Sequence, residues 1–166
     1  EQILAAKRSI SRSISTLSGG PGTGKTTTLK LILESLNQLG LSYKLCSPTG
    51  KASRVMSRVS NQEAQTIHGL LGVLKSGFKH SDSNPLNVDF VIVDETSMSD
   101  LHISFALFRG ISQKTSVILL GDSGQLPSVG PGQILKDLIE SQSVEGSKLL
   151  VDHRSGKGSD LGRVYR

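Results

Sequence analysis

One eight-residue segment constrains the fold of this chain more than any other. Residues 19–26 read Gly-Gly-Pro-Gly-Thr-Gly-Lys-Thr and fit the pattern G-x-x-x-x-G-K-[ST]. The segment lies between a predicted strand at residues 13–17 and a predicted helix at residues 26–39. Glycines in such a loop let backbone N–H groups surround phosphates, and the following helix adds the positive end of its dipole. The pattern predicts a phosphate-binding loop; the alternative is a glycine-rich turn that happens to precede a helix.

The rest of the chain alternates short apolar segments with longer amphipathic ones. The apolar segments, predicted as strands, are residues 43–47, 88–93, 116–120 and 148–151, and the predicted helices are residues 50–59, 64–74, 101–111 and 134–139. This alternation predicts an α/β fold, a parallel sheet with helices on both faces. We expect one domain at residues 1–152, a loop at residues 75–87, and a basic tail or linker at residues 153–166.

Composition limits the class of protein further. The single cysteine, Cys46, allows no internal disulfide or cysteine-based zinc site, favours a reducing compartment, and is predicted to be a small buried side chain. No segment approaches the roughly 20 apolar residues of a membrane span, so we expect a cytoplasmic protein with no membrane partner. Phe105 and Phe108 are predicted to lie in the core, and Met98 to pack beneath the neighbouring loop.

An acidic pair completes the features of a nucleoside triphosphate site. Asp94 and Glu95 directly follow the apolar segment that ends at residue 93. One carboxylate at the end of a strand can hold Mg²⁺, and its neighbour can orient and deprotonate a water molecule. Lys25 can place its ammonium between the outer phosphates, while the Thr26 hydroxyl can bind Mg²⁺. The alternative is a pair of surface acids that cap a strand.

A third polar loop follows the apolar segment at residues 116–120. Gln125 is placed to sense a terminal phosphate or to position water, since its amide both donates and accepts hydrogen bonds. Asp122 either contributes to the site or caps the turn.

Four segments together resemble one family. Residues 19–26, 47–52 (Ser-Pro-Thr-Gly-Lys-Ala), 93–98 (Val-Asp-Glu-Thr-Ser-Met) and 120–132 resemble helicase motifs I, Ia, II and III. The order and the residues of these motifs are similar to those of superfamily 1 DNA helicases of the RecD type, the exodeoxyribonuclease V alpha subunit type. Residues 66–71 are similar to the segment that follows motif Ia in that group. The resemblance implies a RecA-like P-loop NTPase fold, the first motor domain of a 5′→3′ DNA helicase of recombination and repair.

The resemblance also assigns roles to residues. It implies that ATP is bound by Gln2, Gly20, Pro21, Gly22, Thr23, Gly24, Lys25, Thr26, Thr27 and Arg154. It implies Mg²⁺ binding by Thr26 and Asp94, and catalysis by Glu95 as base together with Lys25 and Gln125. Single-stranded DNA is implied to lie along Pro48, Thr49, Gly50, Lys51 and His68. The other subunits of a helicase–nuclease complex are further possible partners.

The sequence departs from the family at Ser155, where an Arg-Gln pair is common and this chain has Arg154-Ser155. The second motor domain is not among these 166 residues, so we expect that they do not unwind a duplex by themselves. Two alternatives remain open on the sequence: a nucleotide-gated DNA-binding module without turnover, and the motor part of a conjugative relaxase or phage helicase.

Positive charge is concentrated around the second motif. Residues 44–79 contain six lysines and arginines against one acid, Glu63, an excess equal to the net charge of +5 for the whole chain. Such residues would give sequence-independent, salt-sensitive affinity for a phosphate backbone. The alternative is a solvated helix face, with Arg54 and Arg58 one turn apart.

Overall fold

The structure is a computed structural model that describes residues 1–125 and 128–151. It contains six strands: β1 (Ile14–Gly19), β2 (Tyr43–Ser47), β3 (Ala64–Thr66), β4 (Phe90–Val93), β5 (Ser116–Gly121) and β6 (Glu145–Leu149). The helices are α1 (Gln2–Ile10), α2 (Lys25–Gln38), α3 (Gly50–Ser60), α4 (Ile67–Leu71), α5 (Leu101–Gly110) and α6 (Ile134–Glu140), with a 3-10 turn at Thr96–Met98. The strands form one parallel sheet in the order β3–β2–β4–β5–β1–β6.

Two apolar clusters hold helices against both faces of this sheet. Along β4, Phe90 and Ile92 join the cluster that includes α1, α2 and α3, while Val91 and Val93 join the cluster that includes α4, α5 and α6. A strand covered on both faces buries every side chain, and therefore reads as a continuous apolar run. The predicted parallel α/β architecture is confirmed.

The strand order brings the polar loops of the sequence to one edge of the sheet. Strand β5 pairs with both β1 and β4, so the carboxyl ends of these three strands lie side by side. The segments that follow them are residues 20–24, the acidic pair and the loop that begins at Asp122. Ligands of parallel sheets bind at this edge, at the carboxyl ends of the strands.

The predicted helix at residues 64–74 is wrong in its first and last parts, since the helix spans only Ile67–Leu71. Residues Ala64–Thr66 instead extend the sheet as β3 beside β2. The Thr66 hydroxyl then accepts a hydrogen bond from the Gly69 amide at 3.0 Å and caps the short helix α4. Gly72, at φ +68°, ends that helix.

Two side chains predicted to be internal are exposed. Phe105 is 60% exposed, and its ring lies beneath the Arg109 guanidinium, with 5.5 Å between the guanidinium carbon and the ring centroid. Met98 is 45% exposed. Phe108 packs against the second cluster, and Cys46 is buried within it, as predicted.

In the part of the chain that the structure describes, no helix is both long enough and apolar enough to cross a membrane.

Candidate functional site

The loop between β1 and α2 curls back on itself through two left-handed glycines. Gly22 has φ +84° and Gly24 has φ +92°, a conformation that costs any other residue steric strain. The Thr23 side chain is buried, and its hydroxyl donates a hydrogen bond to the Gly20 carbonyl at 2.8 Å. The loop therefore has a fixed, closed shape that leads directly into the first turn of α2.

Lys25 is held inside this loop. Its Nζ donates hydrogen bonds to the carbonyl oxygens of Gly19 at 2.5 Å and Gly20 at 3.1 Å. Thr26 and Thr27 follow it on the exposed first turn of α2. The ammonium therefore lies beside the backbone curve that the sequence predicts for phosphate.

A cleft of about 560 Å³ opens over this loop. It is lined by Gln2, Gly20, Gly22, Gly24, Lys25, Thr26, Thr27 and Glu95. Of the predicted nucleotide-binding residues, Pro21 lies exposed at the tip of the loop and Thr23 supports the loop from within, and neither is among these lining residues. Arg154 lies outside the described residues.

Helix α1 delivers Gln2 to the cleft. A β-carbon built at Gly24 would overlap Gln2 Nε2, so the Gln2 amide occupies the space that the glycine leaves open. Gln2 thus lies directly against a glycine that is 22 positions later in the chain. The structure brings Gln2 together with the phosphate loop.

The acidic pair lies at the end of β4, in a strained backbone. The Glu95 amide donates to Asp94 Oδ1 at 2.9 Å, and Glu95 itself has φ +54°, uncommon for a residue with a β-carbon. Burial raises the pKa of Asp94, against the hydrogen bond from the Glu95 amide and the charge of Lys25. Burial also raises the pKa of Glu95; the charges of Asp94 and Asp122 add to this, while Lys25 opposes it.

The oxygen atoms of this region suit a hard divalent cation. Glu95 Oε2 is buried with no hydrogen-bond partner, and the Asp94 carboxylate is largely removed from water. Carboxylate and hydroxyl oxygens are the ligands that Mg²⁺ takes, together with phosphate oxygens of a substrate. Among residues 1–125 and 128–151, no group of three or more His, Cys, Asp or Glu side chains converges on a metal position.

A second cavity, of about 310 Å³, adjoins the first through Glu95. It is lined by Thr49, Lys51, Ala52, Val55, Asp94, Glu95, Met98 and Gln125. Glu95 lines both cavities, whereas Asp94 lines only the second. Two of the predicted DNA-binding side chains, Thr49 and Lys51, therefore share a cavity with the acidic pair.

The loop after β5 supplies Gln125 to this second cavity. Asp122 Oδ1 accepts a hydrogen bond from the Gly124 amide at 2.9 Å, and the Gln125 amide donates to the Asp122 carbonyl at 3.1 Å. The Asp122 side chain thus caps the turn, one of the two roles left open by the sequence. The Gln125 side chain stands exposed at the edge of the cavity.

The other predicted DNA-binding residues surround the start of α3 or lie apart. Thr49 is the N-cap of α3 and accepts a hydrogen bond from the Ala52 amide at 3.2 Å. Pro48 precedes it, half-buried, and Gly50 is exposed in the first turn. His68 is exposed on α4, its ring centroid 5.8 Å from that of Phe78, and it is not among the residues that line either cavity.

Sequence reasoning missed three lining residues of the second cavity: Ala52, Val55 and Met98. Val55 and Met98 are 49% and 45% exposed, so the cavity that Lys51 lines also presents apolar surface. The available signal was the position of Val55 one turn after Lys51 on α3. A single sequence does not show whether an apolar residue such as Val55 is exposed or buried.

Comparison with known proteins gives one family and several relatives. A family model described as AAA domain matches residues 2–131. The chain is 42% identical over 125 residues to the ATP-dependent RecD2 DNA helicase of Deinococcus radiodurans, covering 75% of this chain and 18% of that protein. It is 36% identical over 184 residues to the RecBCD enzyme subunit RecD of Mycolicibacterium smegmatis, covering 95% of this chain and 33% of that protein. The chain therefore spans about a fifth to a third of the length of these relatives.

A solved structure shares the fold. The crystal structure of Pif1 helicase from Candida albicans superposes with a TM-score of 0.60 at 21% sequence identity. The match covers 89% of this chain and 38% of the Pif1 chain. This likeness supports the RecA-like arrangement of the sheet and its helices.

Proposed function

Because this chain belongs to the AAA domain family and is a RecD-like helicase motor domain, we propose that it binds and hydrolyses Mg-ATP and couples turnover to single-stranded DNA. One observation carries the proposal. Glu95 lines both the cleft over the phosphate loop and the cavity that contains Thr49, Lys51 and Gln125. A group at this junction can respond to a nucleotide on one side and to a polymer on the other.

The nucleotide occupies the cleft with its phosphates against the loop. Backbone N–H groups of the loop and the amino end of α2 face the phosphates. Lys25 gives up its hydrogen bonds to the Gly19 and Gly20 carbonyls and binds the outer phosphates instead. The phosphate oxygens are charged and are therefore stronger acceptors. Gln2, which lies against Gly24, binds the base side of the nucleotide.

Thr26 and Asp94 would hold the Mg²⁺ that accompanies the nucleotide. The ion would neutralise charge on the phosphates during transfer. Glu95 accepts a proton from the attacking water through its carboxylate. Gln125 orients that water or contacts the terminal phosphate through its amide, and carries the state of the nucleotide into the second cavity.

Single-stranded DNA lies across the carboxyl edge of the sheet. Lys51 provides a charged contact to backbone phosphate, and the exposed side chains Val55 and Met98 provide apolar contact beside it. Pro48, Thr49 and Gly50 form the adjoining surface at the start of α3. His68 contacts the strand farther along, on α4.

Steady-state hydrolysis of Mg-ATP, measured with and without oligo-dT, tests this proposal. We expect turnover that DNA increases. In Glu95→Gln, turnover falls by about 10²–10⁴-fold, the usual contribution of a general base. Glu34→Gln, at an exposed carboxylate on α2, is the matched control and keeps wild-type turnover. Lys51→Ala weakens DNA binding and lowers its salt dependence, while basal hydrolysis is unchanged.

Nucleotide binding is measured in parallel with a fluorescent ATP analogue. Binding without turnover, with or without DNA, would refute hydrolysis by this chain and favour the nucleotide-gated binding module. Absence of nucleotide binding by a folded sample would refute the proposal as a whole.

The activity of the longer protein is proposed by the same reasoning. We propose 5′→3′ translocation on DNA in recombination and repair, carried out by this domain together with a second motor domain. The relatives of this chain include a protein named as a RecBCD enzyme subunit. We therefore propose other subunits of a helicase–nuclease complex as partners.

A further inference from the structure

Glu1 holds a distant part of the chain rather than its own helix. It is the N-cap residue of α1 but makes no side-chain hydrogen bond within that helix. Its Oε1 accepts a hydrogen bond from the Leu150 amide at 2.9 Å, and its Oε2 accepts one from the Val151 amide at 3.4 Å. Both carboxylate oxygens therefore bind the segment that directly follows β6.

The neighbouring side chain reaches the nucleotide cleft. Gln2 lines the cleft and lies against Gly24 of the phosphate loop. Glu1 and Gln2 thus connect two places: the cleft, through Gln2, and the segment that leaves β6, through Glu1.

The helix that bears these residues is firmly seated. Ala5, Ala6 and Ser9 are buried on its inner face, and their small side chains let α1 pack closely on α2, β1 and β6. Glu1 directly precedes Gln2, so the two residues share a planar peptide unit and the position of one backbone restricts that of the other.

The two places are also adjacent through the sheet. Gly19, at the start of the phosphate loop, pairs with Leu149, the last residue of β6. A β-carbon built at Gly19 would lie 3.1 Å from the Leu149 β-carbon. The start of the loop and the end of β6 are thus packed without intervening space.

We propose that Glu1 is a positioning residue that fixes the segment leaving β6 according to the occupancy of the nucleotide cleft. The inference rests on the proposed function, since the cleft must accept nucleotide. Nucleotide that immobilises Gln2 also immobilises Glu1, and with it the amides of Leu150 and Val151. In the sequence, Arg154, the residue that the family resemblance associates with phosphate, is three positions after Val151.

Amide hydrogen exchange at Leu150 and Val151, measured by NMR, tests the inference. Both residues are exposed, at 70% and 52%, and their amides donate to the Glu1 carboxylate, so we expect this contact to protect them from exchange. We expect Glu1→Ala to speed exchange of both amides by about tenfold without nucleotide, the effect of losing one charged hydrogen bond. Glu1→Gln, which keeps the length of the side chain but only one acceptor oxygen, gives a smaller increase.

The second half of the test adds Mg²⁺ and the slowly hydrolysed analogue ATPγS. In the wild type and in the control Glu34→Ala, we expect the analogue to slow exchange at both amides several-fold further. In Glu1→Ala it leaves them unchanged although nucleotide still binds. A purely structural role for Glu1 would change the rates without removing this response to nucleotide.

Two results would overturn the inference. Equal exchange in wild type and Glu1→Ala without nucleotide would show that Glu1 does not hold the segment. Bound ATPγS that leaves Leu150 and Val151 unaffected in the wild type would show that the cleft and the segment are not coupled. If no ATPγS binds, the proposed function fails and the coupling fails with it, while the comparison without nucleotide still decides whether Glu1 holds the segment.

Discussion

Replacing Gly24 with alanine tests whether the phosphate loop owes its shape to glycine. Gly24 has φ +92° and is the N-cap residue of α2. A left-handed backbone costs an alanine about 1–2 kcal/mol relative to glycine. The new methyl group would also overlap Gln2 Nε2 and force that side chain aside, at about 0.5–1.5 kcal/mol for an unfavourable rotamer.

Gly20 provides a matched control in the same loop. A β-carbon built there has no other heavy atom within 4 Å, and Gly20 is not among the glycines with positive φ. Alanine at either position reduces the entropy of the unfolded chain, which stabilises by about 0.4–1 kcal/mol. Because this effect is common to both variants, Gly24→Ala should be less stable than Gly20→Ala by about 1.5–3.5 kcal/mol, the sum of the backbone and side-chain costs.

Urea unfolding followed by circular dichroism measures this difference. With a denaturant slope of about 1–3 kcal/mol/M, the midpoint of Gly24→Ala should lie about 1 M below that of Gly20→Ala. Adding Gln2→Ala to Gly24→Ala removes the overlap but leaves the backbone strain. The double variant should therefore recover about 0.5–1.5 kcal/mol, visible as a coupling energy in the double-mutant cycle.

Equal urea midpoints for Gly20→Ala and Gly24→Ala would refute the prediction that Gly24 is required for the shape of the loop. A difference between the two midpoints without a coupling energy between Gly24→Ala and Gln2→Ala would still support the backbone strain at Gly24. It would refute the placement of the Gln2 side chain against the loop.

Two further predictions concern the sheet. Burial raises the pKa of Cys46 to about 12. At pH 8 the native thiol should therefore resist a disulfide reagent, and its reaction should occur only at the rate of global unfolding. Fast reaction under native conditions would contradict the burial of Cys46. Hydrogen bonds from the Ser42 hydroxyl and amide hold the pKa of Asp89 below its usual value. Asp89→Asn should therefore lower the melting temperature by a constant amount above about pH 5. The loss should shrink as the pH falls below about 4, the ordinary aspartate pKa that applies to the unfolded chain, and towards the lower pKa of the native carboxylate. A loss that is independent of pH would show that the charge of Asp89 contributes nothing.

Local signals were sufficient for the phosphate loop and for most of the sheet. The loop pattern specifies its backbone through glycines, and the strands β4 and β5 appear as apolar runs because both faces of each are covered. The side chains at their carboxyl ends could be grouped in advance because parallel strands present these ends at one edge.

Other elements depended on neighbours that a single sequence does not reveal. Residues Ala64–Thr66 have no strong strand pattern and become β3 because the edge of β2 offers hydrogen-bonding partners. Phe105 and Phe108 are equally apolar, three residues apart on α5, yet the first is exposed and the second packs on the core. Helix periodicity indicates which residues share a face but does not determine how far the core extends around it.

The sequence by itself determined the chemistry of the site: a loop shaped for phosphate, an acidic pair after a buried strand, and a lysine and a threonine at fixed positions between them. These features are specified by bonds and backbone conformations within a few residues. Only the tertiary structure decided which distant groups meet them. It placed Gln2 against Gly24, Glu95 between two cavities, and the Glu1 carboxylate on the amides of Leu150 and Val151. Such contacts depend on the order of strands and the packing of helices, which are fixed by burial of the whole core rather than by any local segment.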